Sequence, residues 1–74
     1  MEIYYSKETL YIELNDSISF TLISKLKRKM YHILDIYKIY NIELKIIDNN
    51  YDKSLIEELI KEYKNKYNGT IIVK

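Results

Sequence analysis

The chain of 74 residues has material for one hydrophobic core, which reads as a single domain over residues 1-74. Without cysteine, disulfide frameworks, thiolate metal sites and cysteine nucleophiles are excluded. A net charge of +1 with acids and bases interspersed gives no global field toward nucleic acid or an anionic membrane.

No apolar run approaches the roughly 20 residues that a bilayer span needs, and the opening residues Met1-Glu2-Ile3-Tyr4-Tyr5 lack the basic head and greasy body of an export signal. A cytoplasmic protein is expected. Hydrophobic residues make up 47% of the chain, and nine tyrosines supply large amphipathic surfaces for the rim of a small core.

Glu2 to Tyr5 is a short β-prone run, closed by the polar turn Ser6-Lys7-Glu8. From Thr9 to Leu14 the pattern alternates, with Leu10, Ile12 and Leu14 on one side and Tyr11 and Glu13 on the other, as in a strand with one buried face. After Asn15-Asp16-Ser17 the period changes to three and four. Ile23, Leu26, Met30, Ile33 and Tyr37, with Leu34 beside them, form an apolar stripe on a helix from about Phe20 to Tyr40, capped by Ser17 or Ser19. Ile36 and Ile39 fall off that stripe and are expected on the outside.

Ile42, Leu44 and Ile46 alternate with Glu43 and Lys45, giving a third strand. A second helix is expected from Ser54 to about Tyr67. It buries Ile56, Leu59, Ile60, Tyr63 and Tyr67, while Glu57 with Lys61 and Glu62 with Lys66 sit at the favourable i, i+4 spacing. Asn68-Gly69 should stop it in a left-handed conformation, before a last strand from Thr70 to Val73.

The fold class is therefore α/β, in the order β-β-α-β-α-β. Strands joined through helices lie parallel, and right-handed crossovers advancing in one direction put both helices on one face of a four-stranded mixed sheet. The other face is left open. Tyr11, Glu13, Glu43 and Lys45 are too polar for a sheet covered on both sides, and the outward Ile36 and Ile39, together with an open face bearing Tyr11, Ile47 and Ile72, offer surface for another protein.

The stretch "TLYIELNDSISFTLISKLKRKMYHIL" (9–34) resembles the second strand and first helix of the STAS domain, the module of anti-sigma factor antagonists and sulfate-transporter tails. "IELKIID" (42–48) resembles its central strand, and "SLIEELIKEYKNKYNGTIIV" (54–73) its second helix and following strand. The family's Asp-Ser-(Ser/Thr)-Gly turn corresponds here to Asp52-Lys53-Ser54-Leu55, with the acid and a serine but no glycine, as in a reduced or degenerate member. The resemblance implies a non-enzymatic regulatory module that binds a protein such as an anti-sigma factor. Its contact residues would be Asp48, Asn49, Asn50, Tyr51, Asp52, Lys53 and Ser54, with Ser54 the phosphorylation candidate. The amino-terminal domain of the cell-division inhibitor MinC has a similar element order and also works by binding a protein.

The residues themselves leave Ser54 open between two roles. Ser54-Leu55-Ile56-Glu57 fits a capping box, and a phosphate at a helix N-terminus meets unpaired N–H groups and the positive end of the dipole. Asp48 and Asp52 bracket a turn at the carboxyl end of a central parallel strand, where they could hold a cation or bond their own backbone. Lys25, Lys27, Arg28 and Lys29 form the single basic cluster, either a solvated helix face or a phosphate-tracking ridge for nucleic acid. Sole His32 has no companion ligands. No cofactor or metal site is expected, nor an enzyme, since no Gly-rich phosphate loop, Ser/His/Asp set or zinc spacing is present. A homo-oligomeric module pairing through an edge strand or the open face is a further alternative.

Overall fold

The computed structural model describes all residues 1–74. It comprises β1 (Glu2–Ser6), β2 (Thr9–Leu14), α1 (Phe20–Tyr37), β3 (Asn41–Ile46), α2 (Lys53–Tyr67) and β4 (Thr70–Val73). The sheet order is β1-β2-β3-β4. β1 and β2 form an antiparallel hairpin, and the β2–β3 and β3–β4 pairings are parallel.

Alternation in the strands decides the layering. Leu10, Ile12 and Leu14 of β2 and Ile42 and Leu44 of β3 are buried in one cluster with Ile23, Leu26, Met30 and Leu34 of α1 and Ile56, Leu59 and Tyr63 of α2. Both helices therefore lie on one face. The intervening residues Tyr11, Glu13, Glu43 and Lys45 look the other way, onto a face that no element covers.

The β1–β2 hairpin turns through Lys7 and Glu8, at φ 50° and 66°. Both central residues thus occupy the left-handed region, as a two-residue type I′ turn requires, although neither is of the Asn or Gly type that enters it cheaply. The Asn41 side-chain amide braces the turn by donating to the Glu8 carbonyl at 3.3 Å.

Helix α1 is capped by Ser19, whose Oγ accepts from Leu22 N at 3.1 Å. It ends three residues before the expected Tyr40, because Lys38 turns left-handed and donates its N–H to the Leu34 carbonyl at 2.9 Å. The early stop reverses two expectations. Ile39, placed outside by helical phase, lies beyond the helix and plugs the core at 7% exposure, whereas Tyr37, assigned to the stripe, is 57% exposed and rests against Tyr5.

The end of α2 also differs from expectation. Asn68 alone takes the left-handed position, at φ 53°, and Gly69 has no positive φ. Glycine is needed at 69 for a different reason: a Cβ there would collide with the Tyr40 carbonyl and the Tyr63 hydroxyl. Tyr63, fully buried, donates its hydroxyl to that same carbonyl, which also accepts from Thr70 N at 2.9 Å. The end of α2, the start of β3 and the start of β4 are thereby locked together.

The helices are stitched by reciprocal tyrosine–carboxylate bonds. Tyr31 of α1 donates to Glu62 of α2, and Tyr67 of α2 donates to Asp35 of α1, each at 2.8 Å. Glu62 takes Lys27 of α1 as its ion-pair partner at 3.1 Å, in place of the intrahelical pairing with Lys66 read from the spacing. Lys66 instead lies over the Tyr31 ring, 4.8 Å from its centroid, as a cation–π contact.

Candidate partner-binding site

The carboxyl ends of β2 and β3 and the first turns of α1 and α2 meet at one end of the sheet. Ile47 N donates to the Leu14 carbonyl at 3.0 Å, carrying the chain one step past β3 before it turns. Asp48 then works in two directions. Its Oδ1 accepts from Asn50 N at 3.0 Å, closing an Asx turn, and its Oδ2 accepts from Ile18 N at 3.3 Å, tying the approach to α1 onto the approach to α2.

Asp52, not Ser54, is the N-cap of α2, which starts one residue earlier than expected, at Lys53. Its Oδ1 accepts from the Ser54 backbone N–H at 3.0 Å and from the Ser54 hydroxyl at 2.7 Å. The expected Ser54–Glu57 capping box does not form, because an aspartate two residues upstream reaches the free N–H first and holds the serine side chain as well. These bonds, the hydroxyl's first and the amide's second, hold the Asp52 carboxyl below its ordinary pKa. The Asp52–Ser54 pair thus closes the first turn of α2.

The structure brings the candidate residues from Asp48 to Ser54 into one short, braced turn. Asn49, Asn50, Asp52, Lys53 and Ser54 face solvent, while Tyr51 is half-buried against the core and anchors the turn from beneath. Asp48 spends both carboxylate oxygens on backbone N–H groups, and Asp52 spends its Oδ1 on the Ser54 N–H and hydroxyl. No group of three or more His, Asp or Glu residues is placed to hold a metal ion.

Two hydrophobic residues border this end. Ile47 is 47% exposed, and Phe20, the first residue of α1, is 75% exposed. Phe20 carries no functional weight in the sequence reading. Its phase, three residues before Ile23, points to the buried stripe, so the sequence carries no signal for its exposure.

The basic cluster is less continuous than its sequence. Lys25, Arg28, Lys29 and His32 are exposed on α1, but Lys27 is half-buried and paired with Glu62. Ile36 is 56% exposed on α1, as its phase required, and Ile72 is equally exposed on the open sheet face. No helix is long and apolar enough to cross a membrane.

Comparison with known proteins returns no matching family model, curated protein or solved structure.

Proposed function

We propose that this chain is a cytoplasmic protein-binding regulatory module of the STAS type, which docks a partner such as an anti-sigma factor on the turn from Asp48 to Ser54 and the first turn of α2. The observation that carries this reading is the side-chain bracing of an exposed turn. Asp48 and Asp52 fix its backbone while leaving Asn49, Asn50, Lys53 and Ser54 facing outward. A preorganised polar loop flanked by exposed apolar residues loses little entropy on binding.

The element order, the strand directions and the shared helix face support the family assignment. In this reading Ser54 takes the phosphoryl group of a partner kinase. Phosphorylation removes the hydroxyl proton now given to Asp52 and sets close to two further negative charges beside that carboxylate, so the surface changes charge and the cap must rearrange.

Capture from the native host tests the assignment, using the wild type, Asn50→Arg, Ser54→Ala and Ser54→Asp. A specific partner lost with Asn50→Arg and Ser54→Asp but kept with Ser54→Ala, all melting within a few degrees of one another, is the expected result. Equal capture by all four would remove the turn from the binding surface.

A further inference from the structure

The open face of the sheet is ruled by the strand register into three rows. Glu2, Glu13 and Lys45 lie at one level. Lys74 continues that level, since its N–H donates to the Leu44 carbonyl and its carbonyl accepts from Ile46 N. The middle row is Tyr4, Tyr11, Glu43 and Ile72, and the third is Ser6, Thr9, Asn41 and Thr70. The first row runs from two acids on the β1–β2 side to two bases on the β3–β4 side. Tyr4 and Tyr11 stack at 5.1 Å between centroids, and Tyr4 and Ile72 are 61% and 56% exposed.

We propose that this face pairs with the same face of a second copy of the chain, about a two-fold axis lying between the sheets and parallel to the strands. Such an axis keeps each row at its own level and reverses left and right, so β1 faces β4 of the other copy and β2 faces β3. Every opposition is then complementary. Glu2 meets Lys74 and Glu13 meets Lys45; Tyr4 covers Ile72; the Tyr11 hydroxyl is set to donate to the Glu43 carboxylate. Ser6 and Thr9 face Thr70 and Asn41, which can exchange hydrogen bonds.

The charge pattern selects this operator. A two-fold axis across the strands would set Glu43 against Glu43 of the second copy, and like charges so placed repel. The same pattern disfavours nucleic acid, because three carboxylates, Glu2, Glu13 and Glu43, share the face with two lysines. Glu2 makes no ion pair within its own chain, whereas Glu13–Lys45 at 3.6 Å and Glu43–Lys74 are already joined. Near-parallel strand directions in the two sheets also suit aligned sheet-on-sheet packing.

Size sets the strength. Four strands about 4.8 Å apart and three rows about 6.7 Å apart cover roughly 400 Å² per copy, about half the standard area per partner in a stable complex. The pairing is therefore weak, with a dissociation constant of about 0.1–1 mM, and it forms at high local concentration.

Sedimentation equilibrium of the chain from about 10 µM to about 1 mM reads it out, since that range spans the expected dissociation constant. The expected result is a rise toward twice the chain mass. Glu13→Lys and Lys45→Glu, each alone, should weaken self-association at least about tenfold, because both copies of the opposition turn repulsive. An equimolar mixture of these two variants should recover dimer, since each introduced charge meets its opposite across the axis, and Glu13→Lys/Lys45→Glu in one chain should recover it too. Circular dichroism melts establish that each variant is folded at the temperature used. A monomer throughout the range overturns the proposal. So does a dimer indifferent to these charges, which would point to edge-strand pairing, or a mixture no more associated than its components.

Discussion

Substituting Gly69 discriminates between two reasons for a glycine after a helix. If residue 69 were the left-handed stop, asparagine would replace glycine at little cost. In the structure the obstacle is contact: any Cβ at 69 strikes the Tyr40 carbonyl and the Tyr63 hydroxyl. That carbonyl cannot step aside freely, because it accepts both Thr70 N and the Tyr63 hydroxyl. Losing both bonds costs about 2 kcal/mol, and alanine recovers about 0.5 kcal/mol by restricting the unfolded chain. Gly69→Ala should therefore destabilise by about 1.5 kcal/mol, a fall in Tm of roughly 6–12 °C for a domain of this size. Gly69→Asn should cost at least as much. Tyr63→Phe alone should cost about 1 kcal/mol. Because it also removes one of the two obstacles, the double variant should cost less than the sum by about 1 kcal/mol. Thermal melts of the four proteins close the cycle. A neutral Gly69→Asn, or strict additivity with Tyr63→Phe, would refute the close-contact reasoning.

Three further outcomes follow from individual contacts. Asp52→Ala should lower Tm by roughly 4–8 °C and Ser54→Ala by less than half of that, because Asp52 is the cap and Ser54 only supports it; the reverse order in thermal melts would restore the serine as cap. Replacing Lys7-Glu8 by Asn-Gly should raise stability by about 1 kcal/mol in urea unfolding, since both positions are left-handed; no gain would mean that the turn is unstrained. Burial first, then the bond to Asp35, pushes Tyr67 up to about 12, and Tyr31 and Tyr63 are raised chiefly by burial. The fold thus favours the protonated phenols. The Tyr67 contribution is complete below the ordinary tyrosine pKa of 10.0 and is lost as pH climbs from there through about 12, and those of Tyr31 and Tyr63 are lost in the same direction as pH rises above 10.0. Urea midpoints should fall across that window, and a flat profile would contradict it.

The layered fold was legible because its cause is local. Alternation in residues 9–14 and 42–46 and the three-four spacing of Ile23, Leu26, Met30 and Leu34 each bury one side, and short parallel crossovers leave one way to stack them. What escaped the sequence depends on where the chain stops following a pattern. Helical phase extended beyond Tyr37 put Ile39 outside, but the left-handed turn at Lys38 swung it into the core. The capping box at Ser54 was a valid local pattern that lost to Asp52, whose side chain reaches the same N–H group from two residues upstream. The reason for Gly69 lies in the remote Tyr40 carbonyl and in Tyr63 on the last turns of α2, and Glu62 chose Lys27 on the neighbouring helix over Lys66 on its own. Of the candidate site, the turn's location was readable from element order; the double duty of Asp48 was not, because its second partner, Ile18, is 30 residues away.

The central claim, that a protein partner docks on the end of the sheet where β3 turns into α2, is tested most directly by amide chemical-shift mapping of the labelled chain with its captured partner added. The account predicts that perturbations concentrate between Ile47 and Glu57, with Phe20 and its neighbours joining them. Shifts confined to Tyr4, Tyr11, Glu43 and Ile72, or to Lys25, Arg28 and Lys29 on α1, would contradict it.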